Sequence, residues 1–262
     1  MRRRSFLRAF GLAGAGLATG SGATAGLADL REHKTLMLSG HAVGVDRPAD
    51  VVSTQVVYRV PTTKPWIALT FDDGPSSRYT ESILDILDQH DAVATFNLIG
   101  RHALAYPELA RRAAARHEIG NHTWSHPNMS LASARQAHDE MQRGADAIHR
   151  AAGVVPATYR PPYGYFSGAT VMTAAGFGYP MVLWDLQISR KAHVTATENI
   201  DYIGRRSRAG SIILAHDGGN VPCHAIVDAL PGVLDRLRER GFSFVTTSTL
   251  LAAQPTFTSP SV

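Results

Sequence analysis

The sequence predicts an α/β fold in which a parallel sheet closes towards a barrel, and three observations carry that prediction. From Trp66 onward, short apolar, β-favouring runs alternate with stretches of helical periodicity, the series that builds a parallel sheet through crossover helices. The carboxylate and imidazole clusters sit at the carboxyl ends of the apolar runs, where such folds gather their chemistry. A length of 262 residues and an apolar content of 44% are enough for one sizeable core.

Taken in order, Val51 to Val60 is weakly strand-like, and the strand Ile67–Phe71 is followed by a helical stripe of Ile83, Ile86 and Leu87. Ala94–Ile99 is the next strand, after which Pro107 stands where a helix tolerates proline best, in its first turn. Glu118–Gly120 leads into a His-rich loop. The long helix beyond it is given Ser130 as N-cap, Leu131, Ala134, Met141, Ala145 and Ile148 as apolar positions, and Gly153 past its end. The alternation continues through strands at Ala157–Arg160, Met181–Trp184, Ser211–Ala215 and Phe242–Thr246. The intervening helices fall near 169–175, 197–206 and 225–240.

The first residues read differently. Arg2, Arg3, Arg4 and Arg8 precede a small, apolar run from Ala9 to Ala18, and Ala23-Thr24-Ala25 supplies a small-residue cleavage site. The Arg-Arg-x-Phe-Leu-Arg order further resembles a twin-arginine export signal. The apolar run is far shorter than the roughly 20 residues that a membrane span needs, so no stable span is expected in the mature chain. Residues 1–25 are therefore expected to be an export signal, 26–63 a leader, 64–250 the α/β domain and 251–262 a tail. The signal's four arginines, with no acid among them, account for the whole formal charge of +4. The basic balance thus gives no reason to expect nucleic acid as a partner. A single cysteine, Cys223, excludes an internal disulfide and a thiolate zinc site, leaving histidines and carboxylates as metal ligands.

Four clusters carry the chemistry. Asp72-Asp73 ends the first long strand and meets the Gly74-Pro75 break, which lets both acids face one cleft. Two close carboxylates repel unless a cation or a donor intervenes, so a metal and a proton-transfer role together would resolve the pair. His122-x-x-x-His126 has the spacing that puts two imidazoles on one side of a helical turn, with Gly120-Asn121 before it as a backbone able to turn sharply. Two imidazoles and one carboxylate leave open positions on a divalent cation, as catalytic zinc requires. Arg160-Pro161-Pro162-Tyr163-Gly164 is a rigid loop whose arginine can pair with whichever Asp does not bind metal, and whose Tyr163 amide is free to face a ligand. Finally, His216 ends the strand Ile212-Ile213-Leu214-Ala215, with an ordinary pKa near neutrality that suits a general acid.

Thr70-Phe71-Asp72-Asp73-Gly74-Pro75, His122-Thr123-x-x-His126, Arg160-Pro161-Pro162-Tyr163-Gly164 and Leu214-x-His216 resemble, in order and residue type, the motifs of the polysaccharide deacetylase family. This is the NodB-homology domain, or carbohydrate esterase family 4. The resemblance covers roughly Lys64 to Thr247. It implies a distorted, incomplete (β/α) barrel and metal-dependent removal of acetyl groups from a glycan such as peptidoglycan, chitin-type oligomers or acetylxylan. It further implies Asp72 as the general base activating a metal-bound water, and Asp73, His122 and His126 as ligands of one divalent ion, zinc first, with cobalt, nickel or manganese as alternatives. Arg160 would orient Asp72, the Tyr163 amide would stabilise the oxyanion, and His216 would protonate the leaving group. Pro161, Trp184 and Leu214 would wall the substrate pocket.

One segment departs from the pattern. Many members follow the strand-ending Trp with a downstream Asp and then Asp-Trp, of which that Asp orients the acid histidine and the Trp walls the acetyl pocket. Here Trp184 is kept, but Gln187, Arg190 and Lys191 stand at the later positions, with Asp185 or Ser189 as candidate substitutes. That segment motivates the alternative of a non-catalytic glycan-binding or cell-wall protein on the same scaffold. An iron oxygenase of the two-His-one-carboxylate type is disfavoured because Trp124 stands where its carboxylate would follow the first His.

Overall fold

The computed structural model describes residues 53–191 and 193–254; the signal at 1–25, most of the leader and the end of the tail lie outside the described residues. Its strands are β1 (Val56–Val57), β2 (Trp66–Asp72), β3 (Thr95–Leu98), β4 (Glu118–Asn121), β5 (Met181–Val182), β6 (Leu186–Gln187), β7 (Ile212–His216) and β8 (Ser243–Phe244). The helices are α1 (Thr80–Gln89), α2 (Gly100–Ala105), α3 (Pro107–Arg116), α4 (Ala134–Ala152), α5 (Gly168–Gly176), α6 (Ala196–Arg206), α7 (His224–Glu239) and α8 (Thr247–Leu251). No helix among the described residues is long and apolar enough to cross a membrane.

One sheet runs in the order β4-β3-β2-β7-β6, with β8 also on β2, and a second pairs β1 with β5; all these ladders are parallel. Single bridges span the gaps between them. Tyr159 bridges Asn121 on one side and Met181 on the other, and Arg59 bridges Ser211. The result is a distorted, incomplete (β/α) barrel. The segment expected as a strand at Ala157–Arg160 contributes only those bridges, because proline at 161 and 162 ends its pairing.

Period-two alternation then decides which side chains face the barrel interior. On β2, Ile67, Leu69 and Phe71 join the main apolar cluster with Ile83, Leu84 and Leu87 of α1 and Ile226, Leu230 and Leu234 of α7. Phe71 stacks on Phe96 with centroids 5.0 Å apart. The intervening Thr70 and Asp72 face the other way and are buried too. The parallel register sets Asp72 beside Asn97 of β3 and His216 of β7. One polar layer is thus built at the carboxyl end of three neighbouring strands.

Several local expectations need correction. The N-cap of α4 is Ser133, not Ser130: its hydroxyl accepts from the Gln136 amide while the Gln136 side chain accepts from the Ser133 amide, a complete capping box. Leu131 therefore lies outside the helix and is 81% exposed. Gly153 closes α4 in the left-handed region as expected. Gly120 and Asn121 do not turn; they finish β4, where a Cβ on Gly120 would lie 2.1 Å from Asn97 Oδ1.

Candidate metal and catalytic site

Asp72 is the last residue of β2, so an extended Asp73 would point out of the barrel. Instead Asp73 adopts φ 75°, a left-handed backbone that costs a non-glycine residue of order 1–3 kcal/mol and is found where function demands it. Both carboxylates therefore reach the same mouth. His126 (φ 64°), Thr123 (φ 68°) and Tyr163 (φ 60°) share this conformation, so left-handed non-glycine backbone is concentrated around one site. His122 and His126 are brought together by an irregular loop rather than the helical turn that their spacing suggested.

Asp73 Oδ1 lies 3.1 Å from His126 Nε2 and 3.5 Å from His122 Nε2. Ligand atoms of these three residues all lie within 4.8 Å of one another. His122 Nδ1 donates to the Arg160 carbonyl at 2.7 Å, which leaves Nε2 as the lone-pair nitrogen aimed at Asp73. While neutral, an imidazole fixed in this way offers only an acceptor to the carboxylate, so the set is satisfied by a metal cation or, without one, by a proton on Nε2. Two imidazole nitrogens and one carboxylate oxygen fit a divalent transition ion. Burial opposes charge on Asp73, yet hydrogen bonds from His122 and His126 outweigh it and hold the carboxyl well below its usual range. Burial also opposes protonation of His122, but Asp72 and Asp73 outweigh it and raise its proton affinity.

Asp72 has different partners. Its Oδ1 accepts from Arg160 Nη1 at 2.9 Å and from Asn97 Nδ2 at 2.7 Å, while Oδ2 faces His122 Nε2 at 3.8 Å. Arg160 is fully buried and spends three of its four remaining donors on Thr70 Oγ1 and the carbonyls of Val182 and Leu183. The sequence left open which Asp pairs with Arg160, and the geometry gives Asp72. The Tyr163 ring meets His126 edge-on, with centroids 4.5 Å apart. Pro161 and Leu214 are buried beside this mouth, and Trp184 lies under Arg160, 5.6 Å from its guanidinium carbon.

His216 departs from the expected near-neutral pKa: burial pulls it down to about 4, with Asp72 opposing the shift and Arg190 adding to it. Its Nδ1 is buried without a hydrogen-bond partner among the described residues. Neither candidate substitute reaches it. Asp185 accepts from Ser211 Oγ and the Ile212 amide at the opposite end of β7, and Ser189 is held by Asn199. Arg190 instead turns inward, with Nη1 3.4 Å from Asp73 Oδ2.

Asn97, Thr70 and His102, which donates Nδ1 to the Asp73 carbonyl at 2.8 Å, were not legible as site residues. Asn97 had one available signal: a polar residue inside the apolar run Ala94–Ile99. Asp217 was also missed. It is fully buried, accepts from Thr80 Oγ1 at 2.6 Å, and would lie 2.0 Å from a Cβ on Gly74. Burial raises its carboxyl to about 7, with the Thr80 bond opposing and Asp73 and Asp72 adding.

The raised Asp217 pKa gives a test of sign. The folded protein keeps a proton that the unfolded chain loses above about 4, so this contribution is complete below that value and disappears as pH rises through about 7. At about 1.4 kcal/mol per unit, the full effect is about 4 kcal/mol. Metal-free Asp217→Asn should therefore gain thermal stability over the parent, by more at pH 8 than at pH 5. A gain that is equal at both pH values would reject the assignment.

The fold and the site together define a barrel hydrolase with a candidate cation centre at its strand ends. The chain belongs to the polysaccharide deacetylase family, whose members are metal-dependent, and residues 59–182 match that family's profile. It is 35% identical over 199 residues to a peptidoglycan-N-acetylglucosamine deacetylase of Bacillus cereus, covering 75% of this chain and 92% of the relative. A chitooligosaccharide deacetylase of Bradyrhizobium is 36% identical over 171 residues, covering 64% and 74%. A crystal structure of a peptidoglycan N-acetylglucosamine deacetylase superposes with a TM-score of 0.72 at 32% identity, covering 76% of this chain and 94% of that one.

Proposed function

We propose that residues 64–250 form the catalytic domain of an exported, zinc-dependent deacetylase that removes acetyl groups from a cell-wall-type glycan. The observation that carries this reading is the division of the two acids: Asp73 faces two imidazoles, while Asp72 is held by Arg160 and Asn97 in the same mouth. The relatives' named substrates, peptidoglycan and chitooligosaccharide, support the substrate class. The arginine-led, small-residue segment at 1–25 supports export.

Asp73, His122 and His126 would hold the ion, which when bound supplies Lewis acidity that polarises the acetyl carbonyl and acidifies water. Asp72 takes the proton of the attacking water; its carboxylate stays oriented because Oδ1 is fixed by two donors, leaving Oδ2 for the transfer. The amide of Tyr163, on the rigid Pro161-Pro162 loop, stabilises the developing oxyanion. His216, the register partner of Asp72 and neutral in the free protein, takes up the proton that Asp72 removed from the water as negative charge builds on the acetyl group, and passes it to the departing nitrogen or oxygen, which leaves Asp72 ionised again. Tyr163 and Tyr165, both more than half exposed with centroids 5.9 Å apart, present aromatic faces beside the mouth on which sugar rings can stack.

The test is acetate release by the purified protein from acetylated chitooligosaccharides, acetylxylan and muropeptides, with chelator and with added zinc. Activity should vanish with chelator and return with zinc. His126→Ala should lose both bound metal and turnover; a metal content equal to the parent's would remove His126 from the ligand set. No acetate from any of these glycans by zinc-replete protein would leave the non-catalytic, glycan-binding reading.

A further inference from the structure

Arg190 lies in the segment after Trp184 that departs from the motif the sequence otherwise resembles. The guanidinium does not sit idle at the surface. Its side chain is 21% exposed, and Nη1 bonds the Gly218 carbonyl at 3.1 Å and lies 3.4 Å from Asp73 Oδ2. Gly219, at φ 87°, makes the approach possible: a Cβ there would lie 3.1 Å from Arg190 Nη1 and 2.5 Å from Asp73 Oδ2. The arginine is thus built into the mouth. Yet a charge-assisted N–H···O bond is normally about 2.7–2.9 Å long, so the contact with Asp73 leaves the cation incompletely paired. Both oxygens that Arg190 meets among the described residues are at Nη1, and the other group beside the guanidinium is the buried Cys223 thiol, a weak acceptor. Lys191, the next residue, is an exposed second cation.

The charge balance points the same way. Asp72 is already neutralised by Arg160. A divalent ion on Asp73 Oδ1 would use the charge of Asp73, so ion and Arg190 together would leave the loaded mouth with an excess of positive charge even with the buried Asp217 carboxyl beside Gly74 counted as ionised. A neutral acetylated sugar leaves that excess uncompensated, whereas a carboxylate offers two oxygens to a planar fork of donors. We propose that Arg190 selects acetylated sugars that carry a carboxylate within reach of the reacting acetyl group, taking it on Nε and Nη2. The inference rests on the deacetylase reading for its substrate class but not for its test. Such a carboxylate is found on an ether-linked lactyl group or on a uronic acid ring.

Binding to the zinc-loaded protein in an Asp72→Asn background, which reads recognition without turnover, separates these. Calorimetric titrations would use N-acetylmuramic acid, an acetylated glucuronic acid, and the methyl ester of each. At least one acid should bind about tenfold or more tightly than its ester, and the acid that does so identifies the source. In Arg190→Gln the acid-to-ester ratio should fall to about one, and Arg190→Lys should retain part of it. Equal binding of acid and ester, or a preference that survives Arg190→Gln, overturns the proposal. Acetate release with no preference for the acid would reject Arg190 recognition and keep the deacetylase reading. An Arg190-dependent preference with no acetate released from any glycan would do the reverse.

Discussion

Asp72→Asn is expected to lower turnover by about 10²–10⁴-fold, the usual contribution of a positioned general base, without loss of bound metal. The environment dictates how the amide sits. Arg160 Nη1 and Asn97 Nδ2 are both donors aimed at the present Oδ1, so the amide oxygen must stay there and the NH₂ must take the place of Oδ2. The oxygen that would accept the water's proton is thus replaced by a group that cannot accept one, with the local geometry kept. The ligand atoms of Asp73, His122 and His126 are untouched, so zinc stoichiometry should equal that of the parent. Initial rates with an acetylated oligosaccharide, paired with metal analysis of the same samples, decide the matter. Turnover within about tenfold of the parent would assign the base elsewhere. Loss of zinc in this variant would instead make Asp72 a ligand and undo the division of the two acids.

That division was only half legible in the sequence. Asp72, Asp73, His122, His126, Arg160 and His216 could be picked out because each is a titratable or cationic group where an apolar run or its loop ends. Their partners could not, because these depend on register between strands distant in sequence. Asn97 reaches Asp72 only because β3 pairs with β2 in the register Asp72 to Asn97, and the same register sets His216 on the other side. The left-handed backbone at Asp73, His126 and Tyr163 was equally hidden, since no local rule places a non-glycine residue there. The reverse holds for α4. Ser130 and Ser133 both cap well in isolation, and the Gln136 three residues beyond Ser133 was the signature that favoured the second. Arg190 was visible as a departure from the family pattern, but its inward turn depends on the bare Gly219 backbone across the mouth.

Arg160→Ala is expected to cost the fold as much as the chemistry. The guanidinium is fully buried inside the barrel and joins two segments: Thr70 and Asp72 on β2, and Val182 on β5 with Leu183 just beyond it. Removing it strands the Asp72 carboxylate in a buried site with Asn97 as its remaining donor and leaves two carbonyls without their side-chain partner. Breaking one side of a buried ion pair typically costs about 3–5 kcal/mol, a large share of the roughly 5–15 kcal/mol that stabilises a domain. Arg160→Lys separates charge from geometry. It restores one cation for Asp72 but cannot reproduce a planar fork that meets four acceptors at once, so its stability should fall between those of the parent and Arg160→Ala. Urea unfolding midpoints of the three proteins, measured in chelator so that zinc binding does not contribute, give the order. An Arg160→Lys protein as stable as the parent would show that charge alone matters and that the bonds to Val182 and Leu183 add nothing. An Arg160→Ala protein within about 1 kcal/mol of the parent would remove Arg160 as the tie between β2 and β5, because a buried carboxylate without its cation cannot be that inexpensive.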